Sequence, residues 1–295
     1  MKISVIIPTY RRADFLGRAV QSVLLQDWPD LEVVVSDDNG PDSPHRAEAI
    51  SVLEKIGDKR VRIVLPDRHL GGSGARNAGI EAAQGDLITF LDDDDIYLPH
   101  KLSRQAEFMA RGFDMCFMDA VMRDASGVDR ERFRHDLPAD PGQEALLREH
   151  LLRHLTPTAG YMFTREAMKR VGGFEDRVTA QEFVLMLRSI EKGLRIGYLP
   201  EALVAQYRHE GERISTGKGK IKGEKMLYAL KKTYFSRLSR RDRSSIRVRH
   251  YATLFYVYYL NHSYLRAMIC GAASVLLSPA QALDLWRETK NITKG

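Results

Sequence analysis

Four consecutive carboxylates, Asp92-Asp93-Asp94-Asp95, follow the apolar run Leu87-Ile88-Thr89-Phe90-Leu91. Each ionised carboxylate raises the pKa of its neighbours, so such a cluster destabilises a fold unless something compensates. A divalent cation is the simplest compensation, and the carboxyl end of a buried strand in an open α/β sheet is where ligands bind. The same residues would equally serve as a solvated acidic loop or as caps ahead of Pro99. A second acidic pair, Asp37-Asp38, lies in the turn-rich stretch 36–42. Residues 66–79, Pro-Asp-Arg-His-Leu-Gly-Gly-Ser-Gly-Ala-Arg-Asn-Ala-Gly, form a glycine-rich segment opening a helix, an arrangement that lets backbone N–H groups approach phosphate or that is simply a flexible loop.

The elements that must position these residues alternate. Residues 3–7 are a β-branched run before Pro8, and 31–35, 61–65 and 87–91 are further short apolar strands. Between them, Phe15, Leu16, Ala19, Val20, Val23 and Leu24 mark a one-faced helix within 11–26. Ser43-Pro44 starts another that runs to about Ile56. This β-α-β-α-β order predicts a sheet that begins parallel, with right-handed crossovers. Further on, the pattern predicts helices at 99–110, 144–155 and 180–192, a helical turn at 165–171, strands at 114–122, 159–164, 195–198 and 203–209, and a loop over 128–142. Gln181 and Glu182 open the 180–192 helix. The Gly/Lys/Ser/Thr-rich stretch 211–223 reads as a boundary, and helices at 226–238, 251–260 and 265–277 follow.

The chain has 295 residues, 44% of them hydrophobic, which is enough to bury one large core or two modest ones. Cys116 and Cys270 lie far apart in apolar runs, which argues against a disulfide framework and for a reducing compartment. The first eight residues enter a strand too soon for a signal peptide, so a cytoplasmic location is expected, with peripheral attachment to the inner face of the membrane. The net charge of +6 is uneven: residues 217–295 hold 16 Lys and Arg against 4 Asp and Glu, and the preceding 216 residues hold 29 against 35. A basic run over 231–249 precedes two apolar segments, each too short to span a bilayer. An anionic membrane surface engaged through 231–277 is the expected partner, with packing on the body as the alternative. The run Phe255-Tyr256-Val257-Tyr258-Tyr259 reads as an oligomer interface or as internal core.

Four landmarks, Ser4-Val5-Ile6-Ile7-Pro8-Thr9-Tyr10, Asp37-Asp38, Gly74-Ala75-Arg76-Asn77-Ala78-Gly79 and Leu91-Asp92-Asp93-Asp94-Asp95, stand in an order and at a spacing that resembles the inverting family 2 glycosyltransferases. The resemblance covers about residues 3–210. It implies an α/β GT-A fold, Rossmann-like, with a mostly parallel central sheet and helices on both faces; the C-terminal region would be helical. The implied organisation is a catalytic domain over 1–210, a lid or loop over 211–223 and a basic helical region over 224–295. The implied donor is a nucleotide diphosphate sugar, UDP-linked first, and the implied acceptor is a hydroxyl of a saccharide or lipid-linked saccharide in surface polysaccharide synthesis. Pro8, Thr9, Tyr10, Asp37, Asp38, Arg68, Arg76, Asp92 and Asp93 would contact the donor. Asp94 would hold Mn²⁺ or Mg²⁺, with Asp93, Asp95 and His209 as further ligands and Arg213 as a phosphate clamp. Glu182 would be the base, with Asp176 and Glu175 as fallbacks, although the family's usual acidic pair ending in Asp is here Gln181-Glu182.

A sugar-phosphate nucleotidyltransferase would more naturally carry a glycine-rich basic loop after its first strand, where this chain has Pro8-Thr9-Tyr10-Arg11-Arg12. A nucleic-acid-binding protein would rely on the basic tail alone, and no nucleic-acid partner is expected.

Overall fold

A computed structural model describes residues 1–124, 126–177, 179–207 and 218–285. They form two compact units, one of residues 1–147 with 154–207 and one of residues 148–153 with 218–285.

The first unit opens with β1 (Ile3–Thr9), α1 (Ala13–Leu24), β2 (Leu31–Asp37), α2 (Pro44–Ile56), β3 (Val61–Val64), α3 (Gly71–Ala82) and β4 (Leu87–Phe90). The strands pair in parallel in the order β3-β2-β1-β4. Both faces of this sheet are covered, so the strands read as unbroken apolar runs. Alternate residues take opposite faces: Ile3, Val5 and Ile7 pack with Leu16 and Val20 of α1, while Ile6 meets α3. Gly79 makes that last contact possible, because a Cβ there would lie 2.4 Å from Ile6 Cγ2.

The same unit continues with β5 (Ile96–Tyr97), α4 (Lys101–Met109), β6 (Met115–Arg123), β7 (Asp129–Phe133), α5 (Gln143–Leu152, whose last five residues fall in the second unit), β8 (Met162–Thr164), α6 (Arg165–Val171), α7 (Gln181–Glu191) and β9 (Ile196–Tyr207). β8 enters antiparallel between β4 and β6, and β9 lies parallel to β6 with β5 on its far edge.

Several local expectations are corrected. The glycines at 71, 72 and 74 lie inside α3 rather than in a loop before it: Gly71 supplies a left-handed start (φ +74), and a Cβ on Gly74 would lie 2.6 Å from Leu70 Cβ. Residues 129–133, expected in a loop, form β7; its sequence is charged and half-exposed, and its pairing comes from β6 rather than from any apolar pattern of its own. The two strands expected at 195–198 and 203–209 are one through Tyr207, since Pro200 and Glu201 are carried in a bulge where no ladder N–H is required of the proline, and residues 208 and 209 lie outside the described residues. Residues 158–160 form a 3₁₀ turn before β8, and the two-residue β5 has too short a pattern to read from sequence.

The second unit holds α8 (Lys218–Thr233), α9 (Arg240–Leu260) and α10 (Tyr264–Leu277). The helix expected at 251–260 is the latter half of α9. Ser239 caps α9 by accepting the Asp242 N–H, and Asp242 pairs with Arg148 at 2.7 Å, which fixes the start of the helix that carries Arg240, Arg241, Arg243, Arg247 and Arg249. His250 stacks on Tyr228 with ring centroids 3.9 Å apart and meets Glu224 at 2.8 Å. Among the described residues no helix is long and apolar enough to cross a membrane.

Candidate active site

The loops after β1, β2 and β4 leave the carboxyl end of the parallel strands together, which brings the sequence-distant landmarks into contact. Thr9 donates its hydroxyl to Asp93 Oδ2 at 2.8 Å, and the Asp38 N–H donates to the Thr9 carbonyl at 2.9 Å. One short backbone stretch therefore ties the β2 loop to the acidic loop.

The four carboxylates divide by exposure. Asp92 and Asp94 keep 30% and 18% of their side chains exposed, whereas Asp93 and Asp95 are buried. Burial first, and then the charge of Asp94, pushes the Asp93 carboxyl up to about 7. Burial, with Asp92 and Asp94 behind it, holds Asp95 well above the usual carboxylate range. Asp95 accepts the Tyr207 N–H at 3.1 Å and the Gln206 side-chain amide at 3.3 Å, so it faces β9 rather than the opening.

Arginines balance the two exposed carboxylates. Arg12 pairs with Asp94 at 2.5 Å and reaches Asp93 at 3.4 Å. Arg18 donates to the Asp94 carbonyl at 2.9 Å while its guanidinium lies 3.9 Å from the centroid of Tyr207. Arg76 meets Asp92 at 2.5 Å and donates to Gln181 Oε1 at 2.8 Å, which links the acidic loop to the first residue of α7. Its Nε is buried with no hydrogen-bond partner. Asn77 exchanges two 2.8 Å bonds with the Phe174 backbone, and a Cβ on Gly173 (φ +69) would clash with it.

Asp37 is fully buried and accepts from Arg46 Nε at 2.7 Å, while Arg46 also binds the Asn39 carbonyl and, at 2.6 Å, that of Pro66. Asp38 accepts the Leu70 N–H at 2.6 Å and lies 2.9 Å from His69 Nδ1. The His69 ring sits 4.6 Å from that of the exposed Tyr10. Pro8 is half-buried at the end of β1, and Arg68 is exposed. Arg12, Arg18 and Arg46 join the site beyond the residues singled out from sequence, whereas His69 lies in the 66–79 segment already marked there.

Glu182 occupies the first turn of α7, after Ala180 in the left-handed region (φ 59). Its carboxylate is 30% exposed and 3.8 Å from His154 Nδ1. Glu175 pairs with Arg177 at 2.8 Å, and Asp176 is exposed. His209 and Arg213 lie outside the described residues.

Among the described residues no three His, Cys, Asp or Glu side chains come together to hold a metal by themselves. The donor set still fits Mg²⁺ or Mn²⁺. Asp92 and Asp94 offer hard oxygens at the opening, and such ions are commonly held by one or two carboxylates with phosphate and water completing the shell.

The model of the glycosyl transferase family 2 matches residues 4–190. The chain is 31% identical over 234 residues to a putative teichuronic acid biosynthesis glycosyltransferase, TuaG, of Bacillus subtilis, covering 79% of this chain and 86% of that protein. It is 34% identical over 130 residues to a GalNAc(5)-diNAcBac-PP-undecaprenol beta-1,3-glucosyltransferase of Campylobacter jejuni, covering 44% and 41%. A match to an uncharacterized glycosyltransferase of Nostoc sp., 31% identical, covers 58% of this chain and about half, 53%, of that protein. The fold resembles S. aureus TarS in complex with UDP-GlcNAc (TM-score 0.62, 18% identity, covering 98% of this chain and 92% of that one). It also resembles the mannosyltransferase PcManGT of Pyrobaculum calidifontis in complex with GDP-Man and Mn²⁺ (TM-score 0.64, 18% identity, 99% and 83%). The family match, the curated relatives and the shared sheet together establish that this chain belongs to glycosyl transferase family 2 and is a glycosyltransferase of the GT-A fold.

Proposed function

We propose that the first unit transfers a sugar, with inversion, from a nucleoside diphosphate to a hydroxyl of a saccharide or lipid-linked saccharide, in the assembly of a surface polysaccharide. The observation that supports this reading is the bridge Asp92–Arg76–Gln181, which ties the acidic loop to the residue preceding Glu182. Two fold neighbours bound to UDP-GlcNAc and GDP-Man, and a relative named for an undecaprenol diphosphate acceptor, support the donor and acceptor classes.

Asp38 accepts from a nucleobase such as uracil, whose N3–H is a donor, once His69 moves aside, and Asp37 fixes that loop through Arg46. Pro8, Thr9 and Tyr10 line the nucleotide's path, with Arg68 beside it. Asp94 holds the cation, with Asp92 and Asp93 toward the ribose and diphosphate. A bound divalent ion supplies Lewis-acid neutralisation of the departing diphosphate. Arg12, released from Asp94, and Arg76 add fixed positive charge at the same place. Glu182 takes the proton of the acceptor hydroxyl as the oxygen attacks the anomeric carbon from the face opposite the leaving group. His154, 3.8 Å away, steadies that carboxylate.

The test is thermal stabilisation of the chain by UDP-, GDP- and dTDP-sugars with and without Mn²⁺. One nucleotide class is expected to stabilise the chain, and more strongly with the cation. If none stabilises with either Mn²⁺ or Mg²⁺, the reading is wrong.

A further inference from the structure

α10 is amphipathic in the reverse of the usual sense. Its buried face is Ala267, Cys270 and Ser274, while Leu265, Met268, Ile269 and Leu276 stand in solvent, Leu276 84% exposed. These four lie at i, i+3, i+4 and i+11, one continuous stripe. The end of α9 extends the apolar surface. Val257 and Tyr258 of the aromatic run are buried, but Phe255, Tyr256, Tyr259 and Leu260 are exposed, and the Tyr259 ring lies 6.2 Å from Phe255 and 5.8 Å from Tyr264. Between residues 251 and 277 the sole Asp, Glu, Lys or Arg is Arg266, whereas residues 218–250 carry 12 Lys and Arg against 2 Asp and Glu.

A groove of about 530 Å³ lies where the two characters meet. Ile221, Met226 and Tyr258 give it apolar walls, and Lys222, Lys225 and Arg266 give it three cations, with no carboxylate among the described lining residues. The Arg266 guanidinium sits 5.9 Å from the Tyr258 centroid, and its chain neighbour Leu265 begins the exposed stripe. A ligand filling this groove meets both apolar walls and three cations, which suits a molecule that combines an anionic group with apolar surface.

We propose that α8, α9 and α10 form a site for a phosphate-bearing membrane lipid, with the headgroup held by Lys222, Lys225 and Arg266 and the stripe of α10 seated among the chains. The charge disfavours pairing of this face with itself, and the apolar stripe disfavours a nucleic acid. A second copy of this unit would bring the same excess of cations, 13 Lys and Arg against 3 Asp and Glu over residues 218–285, and a nucleic acid would leave the stripe uncovered. An exposed apolar face flanked by Lys and Arg, on helices that do not span, is the pattern of an interfacial helix, and tyrosines suit that level of a bilayer. The inference deepens the proposed function, because a lipid-linked acceptor carries this headgroup chemistry.

The test is flotation of the full chain with vesicles of phosphatidylcholine alone and of phosphatidylcholine with phosphatidylglycerol. The chain is expected to float with the anionic vesicles and to be released by salt. Lys222→Ala/Lys225→Ala/Arg266→Ala is expected to lower that partition about tenfold or more, since each removes a cation from beside the anionic leaflet. Met268→Asp/Leu276→Asp is expected to lower it without changing the sedimentation coefficient of the free protein. Equal partition to both vesicles, an unaffected triple variant, or displacement by inorganic phosphate at matched concentration overturns the site, the last by making it a free-anion site. A dimer that the double variant converts to monomer overturns it in favour of a second copy. Stabilisation by nucleotide sugar, read on the same proteins, reports on the first unit: its presence with failed flotation sinks only the lipid site, and its absence in the wild-type chain sinks the transferase reading instead.

Discussion

Arg76 donates one guanidinium nitrogen to Gln181 at 2.8 Å while another meets Asp92 at 2.5 Å. The residue thus sets the distance between the acidic loop and the helix that carries Glu182. A lysine keeps the charge but has no planar fork to serve both partners. Arg76→Lys is expected to lower kcat/KM by about tenfold or more with the circular dichroism spectrum unchanged. Wild-type kinetics in a folded Arg76→Lys variant would exclude this coupling.

Glu182 carries the proposed general base. Glu182→Gln keeps the shape and the helix but cannot accept the proton, so kcat is expected to fall by about 10² or more while donor binding stays near wild type. The measurement is steady-state kinetics beside donor titration. Near-normal turnover would transfer the role to Asp176 or Glu175.

Arg12 stands against Asp94 where the proposal puts a cation. Asp94→Ala is expected to abolish Mn²⁺-dependent stabilisation by nucleotide sugar without unfolding the chain, because one charge leaves a crowded cluster. Arg12→Ala is expected to lower the melting temperature of the metal-free protein and to enlarge the rise that Mn²⁺ produces. Scanning fluorimetry in chelator and in Mn²⁺ reads both variants, and a Mn²⁺ response retained by Asp94→Ala argues against Asp94 as the ligand.

Asp93 titrates near 7 in the folded chain, against an ordinary 3.8. Between those values the native state holds a proton that the unfolded chain has released, so this group's contribution makes stability fall as pH rises through that window. Asn cannot ionise and can still accept from Thr9. Asp93→Asn in chelator is therefore expected to raise the melting temperature at about pH 8 and to give no gain below about pH 4. A gain that is equal at both ends of the range would contradict the burial argument.

Lys101 is fully buried, with Nζ donating to Thr89 Oγ1 at 2.6 Å and lying 4.0 Å from the Tyr97 centroid. Burial holds its ammonium well below the ordinary lysine range. The unfolded chain then binds the extra proton, so stability rises with pH up to the ordinary lysine value, and the neutral-pH protein bears the cost. Thr89 keeps the Tyr161 carbonyl and the Tyr97 hydroxyl as partners when the amine is removed. Lys101→Met is expected to raise the melting temperature near pH 7, by about 2–4 °C per kcal/mol in a chain of this size, with the gain shrinking toward about pH 10.

The sequence by itself determined the strand–helix alternation from Ile3 to Phe90, because strands buried on both faces need unbroken apolar runs and their crossover helices need one apolar face. It also determined the acidic loop after β4 and the place of Glu182 at a helix start, since both are local patterns. Pairing across the sheet decided the rest. β7 is charged and exists because β6 offers an edge, and β9 runs through Pro200 because a bulge removes the demand for its N–H. Tertiary structure also decided which carboxylates face outward. Asp92 to Asp95 are identical in type, and only the approach of Thr9 to Asp93 and of β9 to Asp95 buries those two and leaves Asp92 and Asp94 to Arg76 and Arg12. Ion pairs between residues as far apart as Arg12 and Asp94 leave no periodicity to read, because they depend on where separate loops end rather than on the spacing within any one of them.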